Sequence, residues 1–310
     1  MKKKIILAAG TGFLGQCIIK HLHNDYKIVV LTRNVKSQLP IANCKLFQWD
    51  AKTIGKWSEE LEGAFAVINL AGKSVDCRYN EKNKKEIFDS RTDSTKAIGK
   101  AIQNCKEPPK IWINSASATI YRHAEDRPMD EIKGERGNGF SVEVCKKWEE
   151  TFNEVVTPQT RKIILRIAMV LGNEGGVFPV LKRLVKFGLG GKQGNGNQYM
   201  SWVHEYDFVN CIKFIFEHDN ISGVYNCAAP GPLPNKDFMK IIRSALNVKI
   251  GLPANKLMLE VGAVFLRTET ELILKSRRVV PTKLLQSGFK FKFEKVSDAI
   301  NDLVSPNNKI

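Results

Sequence analysis

None of the seven cysteines, at 17, 44, 77, 105, 145, 211 and 227, stands in a C-x-x-C pair, and their number is odd. That leaves no basis for a disulfide framework or a thiolate zinc site, and reduced thiols in a cytoplasmic protein are expected. The five histidines show no H-x-x-x-H spacing and the carboxylates form no coordinating cluster, so no metal is expected. No apolar run approaches the roughly 18 residues that cross a bilayer. The longest candidate, Leu257 to Leu266, is interrupted by Glu260. The opening Lys2-Lys3-Lys4 leads into an apolar segment too short for a signal peptide, which reads instead as a first buried strand. Internal repeats and low-complexity tracts are also missing.

The chain has 310 residues, 43% of them hydrophobic, enough for a substantial core in one large domain or two smaller ones. A net charge of +16 comes from lysines spread along the whole length, without a basic arm or a nucleic-acid motif. Diffuse basicity of this kind fits a solvated surface that attracts an anionic cofactor or substrate. A specific nucleic-acid partner would rest on charge alone and is not expected.

The most informative segment is Ala8-Ala9-Gly10-Thr11-Gly12-Phe13-Leu14-Gly15, which follows the strand-like Ile5-Ile6-Leu7 and opens a helix-like run from Gln16 to His23. A dinucleotide-binding glycine turn needs that context. Gly10 permits the tight turn, Gly12 lets the backbone approach a pyrophosphate, and Gly15 lets helix and strand pack closely. The helix N-terminus presents free N–H groups to the phosphates. A second strand, Ile28-Val29-Val30-Leu31, ends in Thr32-Arg33, where an NAD-specific site would place Asp or Glu. A guanidinium pairs with a 2′-phosphate and a hydroxyl adds a hydrogen bond, so these residues favour NADP(H). The plainer alternative is that Arg33 is a solvated surface arginine.

Further strand-sized runs, Ala66-Val67-Ile68-Asn69-Leu70, Ile111-Trp112-Ile113 and Ile163-Ile164-Leu165, alternate with helix-periodic stretches at Asn80 to Asn104 and Val142 to Val156. The alternation predicts an α/β fold with a Rossmann-type, doubly wound parallel sheet. The pattern changes near Gly172. A glycine-rich stretch from Gly188 to Gly196 lacks the G-K-[ST] ending of a phosphate loop and reads as a flexible loop. A helix from Tyr206 to Glu217, a proline cluster at Pro230, Pro232 and Pro234, and a short helix at Val296 to Leu303 follow. The expected division is a nucleotide-binding domain at 1–172 with 199–228, and a substrate lobe from 173–198 and 229–310.

Taken with the glycine turn, four segments resemble the extended short-chain dehydrogenase/reductase superfamily: Asn69-Leu70-Ala71-Gly72, Ser115-Ala116-Ser117-Ala118, Tyr121, and Ser201-Trp202-Val203-His204 leading to Asp207. The atypical NAD-dependent epimerase/dehydratase-like branch is resembled more narrowly. Asp89-Ser90-Arg91 with Thr95, Cys145-Lys146-Lys147-Trp148-Glu149, Leu165-Arg166 before Val170-Leu171-Gly172, and Gly188-Leu189-Gly190-Gly191 carry that likeness. The stretch around Arg278-Val279-Val280-Pro281 and Leu285 to Phe289 resembles the branch's C-terminal domain of unknown function. The resemblance covers nearly the whole chain. It implies NADP(H) bound by the glycine turn, with Phe13 and Leu14 in it, and by Arg33 near the 2′-phosphate, beside the Thr32 already read there. It also implies cofactor contacts from Leu70, Ala71, Gly72, Glu86, Arg91 and Val170, and a homodimer through the two long helices. Ala9 departs from the family's usual glycine, and slight crowding of a phosphate is the expected consequence.

A second departure is larger. The superfamily's Tyr-x-x-x-Lys pair, whose lysine lowers the tyrosine pKa, is absent. With Glu149 as anchor, the tyrosine position falls on Ser141 and the lysine position on Cys145; a shift by one residue brings Lys146 into place but pairs it with Val142. None of the six tyrosines has a lysine four residues on. Serine is a weak acid or base without a partner, and a cysteine on such a helix reads as core. Ser117, matching the superfamily's hydrogen-bonding serine, and Tyr121, a phenol in the loop that borders the substrate, are the remaining catalytic candidates. Each has a plainer reading, as a strand-end hydroxyl and a packing aromatic. His123 reads as a surface residue, and His204 and Asp207 as structural. The expectation is an NADP(H)-binding oxidoreductase or epimerase-like protein acting on a small carbonyl or sugar-like compound. The alternative is a non-catalytic NADP(H)-binding regulatory or redox-sensing protein.

Overall fold

Apolar runs separated by amphipathic helices can bury themselves only as a sheet covered on both faces. The computed structural model has this architecture, and it describes every residue except 1, 38, 40–43, 261–268 and 306–310. Part of the apolar stretch Leu257 to Leu266 thus lies outside the described residues. The first half runs β1 (Lys3–Ala8), α1 (Phe13–Leu22), β2 (Tyr26–Thr32), β3 (Lys45–Gln48), β4 (Ala66–Asn69), α2 (Glu81–Asn104), β5 (Ile111–Ser117), α3 (Phe140–Glu154) and β6 (Arg161–Ile167). After it come β7 (Met169–Leu171), α4 (Phe178–Lys186), β8 (Tyr199–Met200), β9 (Trp202–His204), α5 (Glu205–Glu217), β10 (Gly223–Cys227), β11 (Leu233–Pro234) and α6 (Asn235–Ala245), and near the end a helix spans Val296–Val304.

Seven parallel strands form the main sheet in the order β10-β6-β5-β4-β1-β2-β3. Strand residues alternate between two apolar layers, as a pleated strand requires. Ile5, Leu7, Ile28 and Val30 pack with Ile18 of α1 and Ile212 of α5. On the opposite face, Ile6, Ala8, Val29 and Leu31 pack with Ile98 of α2 and Phe152 of α3. The direction of strand addition reverses between β1 and β4, so a crevice opens there at the carboxyl edge, where doubly wound sheets bind ligands.

A separate apolar cluster is built by Phe178 and Leu181 of α4, Phe238 and Ile242 of α6, and Ile300 and Leu303 of the C-terminal helix. Leu284, Phe289 and Phe291 instead join the α1 and α5 layer of the sheet, so the C-terminal segment contributes to both cores. Asp207 fastens it there by accepting from the Lys292 and Phe293 N–H groups at 2.9 Å. His204 caps α5 through Nδ1, which accepts from Tyr206 N at 3.1 Å, and burial pulls its pKa down to about 4. Both residues serve the fold. The segment Gly188 to Gly196 is laced rather than loose: Gly191 N donates to Leu252 O at 3.1 Å, Gly194 N to Ala254 O at 2.8 Å, and Ala254 N to Lys192 O at 3.0 Å. Among the described residues no helix is long and apolar enough to cross a membrane.

Two contacts decide the local geometry of the sheet's carboxyl edge. In the glycine turn, a Cβ on Gly15 would lie 2.2 Å from Gly10 O, and one on Gly10 would lie 2.9 Å from Leu7 Cβ, so both glycines are demanded by packing. Ala9 has φ 59°, a left-handed conformation that costs an L residue about 1–2 kcal/mol. This backbone conformation gives glycine an advantage at this position apart from any crowding of a phosphate. Between α3 and β6, the Arg166 guanidinium donates from Nε to Glu149 Oε1 and from Nη2 to Glu149 Oε2, each at 2.7 Å, with both side chains buried.

These contacts predict opposite outcomes for two substitutions. Ala9→Gly, which relieves the backbone and adds some unfolded-state entropy, should stabilise the protein by about 0.5–1 kcal/mol in urea unfolding. Glu149→Gln leaves a buried guanidinium half paired and should cost about 3 kcal/mol in the same assay, whereas the double change Glu149→Leu with Arg166→Met should cost less than the single change.

Candidate functional site

The glycine turn places the N-terminus of α1 at the β1/β4 crevice. Gly12 caps this helix without a side-chain hydrogen bond, and no acidic residue occupies the first turn. A Cβ on Gly12 would meet only Ala9 O, at 3.9 Å, so the space above it is left open by the chain. Free N–H groups, a positive helix end and an open approach suit an anion such as a pyrophosphate. Phe13 closes the far side: Gly172, Gly175 and Gly176 lie so close to its ring that a Cβ on any of them would approach it to 2.7–3.0 Å. Val170 sits on β7 beside this loop, paired with Val203, and Leu14 packs against the core.

At the end of β2, Arg33 is exposed and makes no hydrogen bond or ion pair among the described residues. Thr32 is buried, and its hydroxyl donates to Asn34 O and accepts from Asn34 N at 3.2–3.3 Å. The hydroxyl expected to assist at a 2′-phosphate is thus turned into a local loop, and Arg33 alone faces outward there. Leu70, Ala71 and Gly72 leave β4 along the other wall of the crevice. Beneath them Arg91 donates from Nη1 to Lys73 O at 3.1 Å and to Ile87 O at 2.9 Å, and a Cβ on Gly72 would come within 3.1 Å of its guanidinium carbon. Glu86 pairs with Lys73 Nζ, which holds its carboxyl below the usual range. A buried polar cluster fixes the loop's start: Asn69 Nδ2 donates to Asn114 Oδ1 at 2.8 Å and to Thr95 Oγ1 at 3.3 Å, Ala71 N donates to Asn69 Oδ1 at 3.1 Å, and Trp148 Nε1 donates to Thr95 Oγ1 at 3.1 Å.

On α3, Ser141 and Cys145 are buried one turn apart, where the family's dyad would stand. Burial pushes the Cys145 thiol up to about 12, so it is a neutral core group at physiological pH. Lys146 points elsewhere and pairs with Glu143 at 2.8 Å. Ser141 Oγ donates to Glu271 Oε2 at 3.1 Å and lies 3.5 Å from the Tyr79 hydroxyl. Tyr79 is itself held by Glu269, which accepts from its backbone N–H at 2.8 Å, and burial raises its phenol pKa. A phenol therefore does reach the dyad position, from the loop before α2.

The two catalytic candidates occupy different settings. Ser117 is half-buried at the end of β5, and its Oγ accepts from Thr119 N at 3.2 Å, which leaves its proton free to donate. Tyr121 is 1% exposed; its hydroxyl donates to Asn226 Oδ1 at 3.0 Å and accepts from Arg166 Nη1 at 2.8 Å. The expected phenolic donor is thus committed to the protein interior. His123 is half-exposed, and its Nδ1 accepts from Ser276 N at 3.0 Å.

Tyr79, Glu271, Asn114 and Asn226 were not legible as site residues, since each reaches its partner from a distant segment and none stands in a local motif. Among the described residues no group of His, Cys, Asp and Glu could hold a metal. A cleft of about 200 Å³ lined by Ile102, Cys105, Pro108, Val156 and Thr160 lies at the amino edge of the sheet, away from all of these residues.

The family model described as the NAD dependent epimerase/dehydratase family matches residues 5–228, and that of a domain of unknown function, DUF1731, matches residues 256–303. The chain is 30% identical over 307 residues to the epimerase family protein YfhF of Bacillus subtilis, covering 99% of each chain. It is similar in structure to the human epimerase family protein SDR39U1 solved with NADPH, at 26% identity and a TM-score of 0.84, covering 97% of this chain and 98% of that one. A nucleoside-diphosphate sugar epimerase from Corynebacterium glutamicum shares the fold, at 24% identity and a TM-score of 0.77, covering 98% of this chain and 58% of that one. The chain belongs to the NAD dependent epimerase/dehydratase family, in a form that continues into this C-terminal domain.

Proposed function

We propose that this protein binds NADP(H) at the glycine turn and catalyses an oxidoreductase or epimerase-like reaction on a small carbonyl or sugar-like compound. The observation that carries the reading is the uncapped, open N-terminus of α1 at the β1/β4 crevice, with the exposed Arg33, unpaired among the described residues, at the end of the neighbouring strand. The NADPH held by the human relative supports it. When bound, the cofactor supplies or accepts a hydride. The backbone of Gly10 to Gly15 and the helix end hold the pyrophosphate, and Arg33 pairs with the 2′-phosphate. Leu70, Ala71 and Gly72 border the ribose, on a loop fixed by Arg91 and the Glu86–Lys73 pair, and Val170 closes the wall beyond Phe13.

Ser117 orients the reacting oxygen by donating the proton that Thr119 leaves free. Tyr121 acts as a brace beneath the Ser117 turn. The proton comes instead from Tyr79, whose hydroxyl adjoins Ser141 and, through it, Glu271. A buried Cys145 in the lysine position favours a second reading, a non-catalytic NADP(H)-binding sensor, because no lysine lowers the phenol pKa.

A fluorescence titration with NADPH and NADH tests the cofactor assignment: NADPH should bind about tenfold more tightly or better, and Arg33→Ala should erase that preference. If neither nucleotide binds, the proposal falls. For the chemistry, Tyr79→Phe should slow NADPH oxidation across a carbonyl and nucleotide-sugar panel by about 100-fold or more while leaving NADPH affinity unchanged. An unaltered rate removes Tyr79 from the reaction, and no turnover by the unmodified protein despite tight NADPH binding selects the sensor.

A further inference from the structure

Near the dyad face, Arg277 stands out among the described residues because buried N–H groups of its guanidinium lack hydrogen-bond partners. Its backbone is pinned on both sides: the N–H donates to Tyr199 O at 2.9 Å, and the carbonyl accepts from Ser201 Oγ at 2.5 Å. The preceding Ser276 is fully buried, donates from Oγ to Ala124 O at 2.6 Å and accepts from Tyr199 N at 2.8 Å. Met129 N donates to Arg278 O at 2.7 Å on the far side. The guanidinium carried by this rigid segment is different. Its Nε and Nη1 are buried and have no hydrogen-bond partner among the described residues.

The other deep arginines are satisfied. Arg166 forks Glu149, Arg91 donates to two carbonyls, and Arg161 donates to Ile221 O and Ile215 O. Glu271 faces Arg277 but spends Oε2 on the Ser141 hydroxyl and Oε1 on Lys275 at 3.2 Å. Cys145, the other titratable group beside Arg277, is a neutral thiol at pH 7. Burial pulls the guanidinium pKa down only to about 10, so the charge persists at neutral pH. Buried N–H groups that carry charge and lack partners are rare and costly, and a fixed backbone that displays them is what a ligand-binding residue requires.

We propose that Arg277 receives an anionic group of the substrate, a carboxylate or a phosphate, and so anchors the substrate against the Tyr79, Ser141 and Glu271 face of α3. The planar guanidinium matches both groups. This rests on the proposed function in placing the reaction at that face, and it narrows the carbonyl or sugar-like substrate to an anionic one.

The test uses the full chain saturated with NADPH, so that phosphate cannot occupy the glycine turn. Inorganic phosphate and, separately, malonate are titrated at constant ionic strength, with chloride as the reference, and the thermal midpoint is followed. One of the two anions should raise the midpoint saturably by about 2 °C or more, and which one does so tells a phosphate from a carboxylate substrate. Arg277→Met should weaken that anion at least about tenfold, and Arg277→Lys should retain a weaker response. Without added anion, Arg277→Met should itself raise the midpoint, because it removes buried N–H donors that lack hydrogen-bond partners.

Anion binding unchanged in Arg277→Met, no saturable response in the unmodified protein, or a lowered midpoint for Arg277→Met without anion would each overturn the proposal. NADPH binding is read separately on the same samples. Its failure would remove the proposed function, while an Arg277-dependent response to phosphate or malonate would still stand.

Discussion

The carboxyl edge of the sheet depends on one buried ion pair. Arg166 at the end of β6 and Glu149 on α3 exchange two 2.7 Å hydrogen bonds in a setting where either charge alone would be costly. The pair fixes the rotation and height of α3, and with them the positions of Ser141 and Cys145 one to two turns earlier. The same guanidinium donates to Tyr121, whose hydroxyl in turn donates to Asn226 of β10. Asn226 N donates to Glu131 Oε1 at 2.7 Å, and the other carboxylate oxygen accepts from Lys283 N at 3.3 Å. A chain of polar contacts thus runs from the dyad helix through three strands' ends to the C-terminal segment.

That network explains why the most obvious phenol is not the available one. Tyr121 lies four residues after Ser117, close to where a substrate would sit, yet both hydrogen-bonding capacities of its hydroxyl are met inside the protein. Tyr79 is the phenol whose hydroxyl meets α3 at the position the family gives to tyrosine. The polar groups beside Ser141 come from a loop before α2 and from residues after 268. Arg91 and Arg277 both lie near Cys145, so positive charge surrounds the vacant lysine position even though no lysine occupies it.

The geometry of the glycine turn was largely legible in the sequence, and for a physical reason. A glycine turn, its strand and its helix are contiguous, so the spacing Gly10, Gly12, Gly15 encodes contacts between neighbours in the chain; the 2.2 Å approach of a Gly15 Cβ to Gly10 O is such a contact. Ala9 shows the limit even here. Its departure from glycine was visible, but the left-handed φ it has to adopt needed the backbone dihedral. Thr32 shows the same limit: its place at the end of β2 was readable, and the turn of its hydroxyl toward Asn34 was not.

By itself the sequence determined the doubly wound sheet, the glycine turn that opens α1 and the absence of a Tyr-x-x-x-Lys pair, because periodicity and motif spacing are properties of adjacent residues. Only the tertiary structure decided which side chains surround Ser141. Tyr79, Glu271 and Arg277 come from segments on either side of α3, and no local pattern records that folding brings their polar groups to one face. The buried Arg277 N–H groups without a partner among the described residues are a fact of that kind as well, since whether a donor is satisfied depends on what the rest of the chain places beside it.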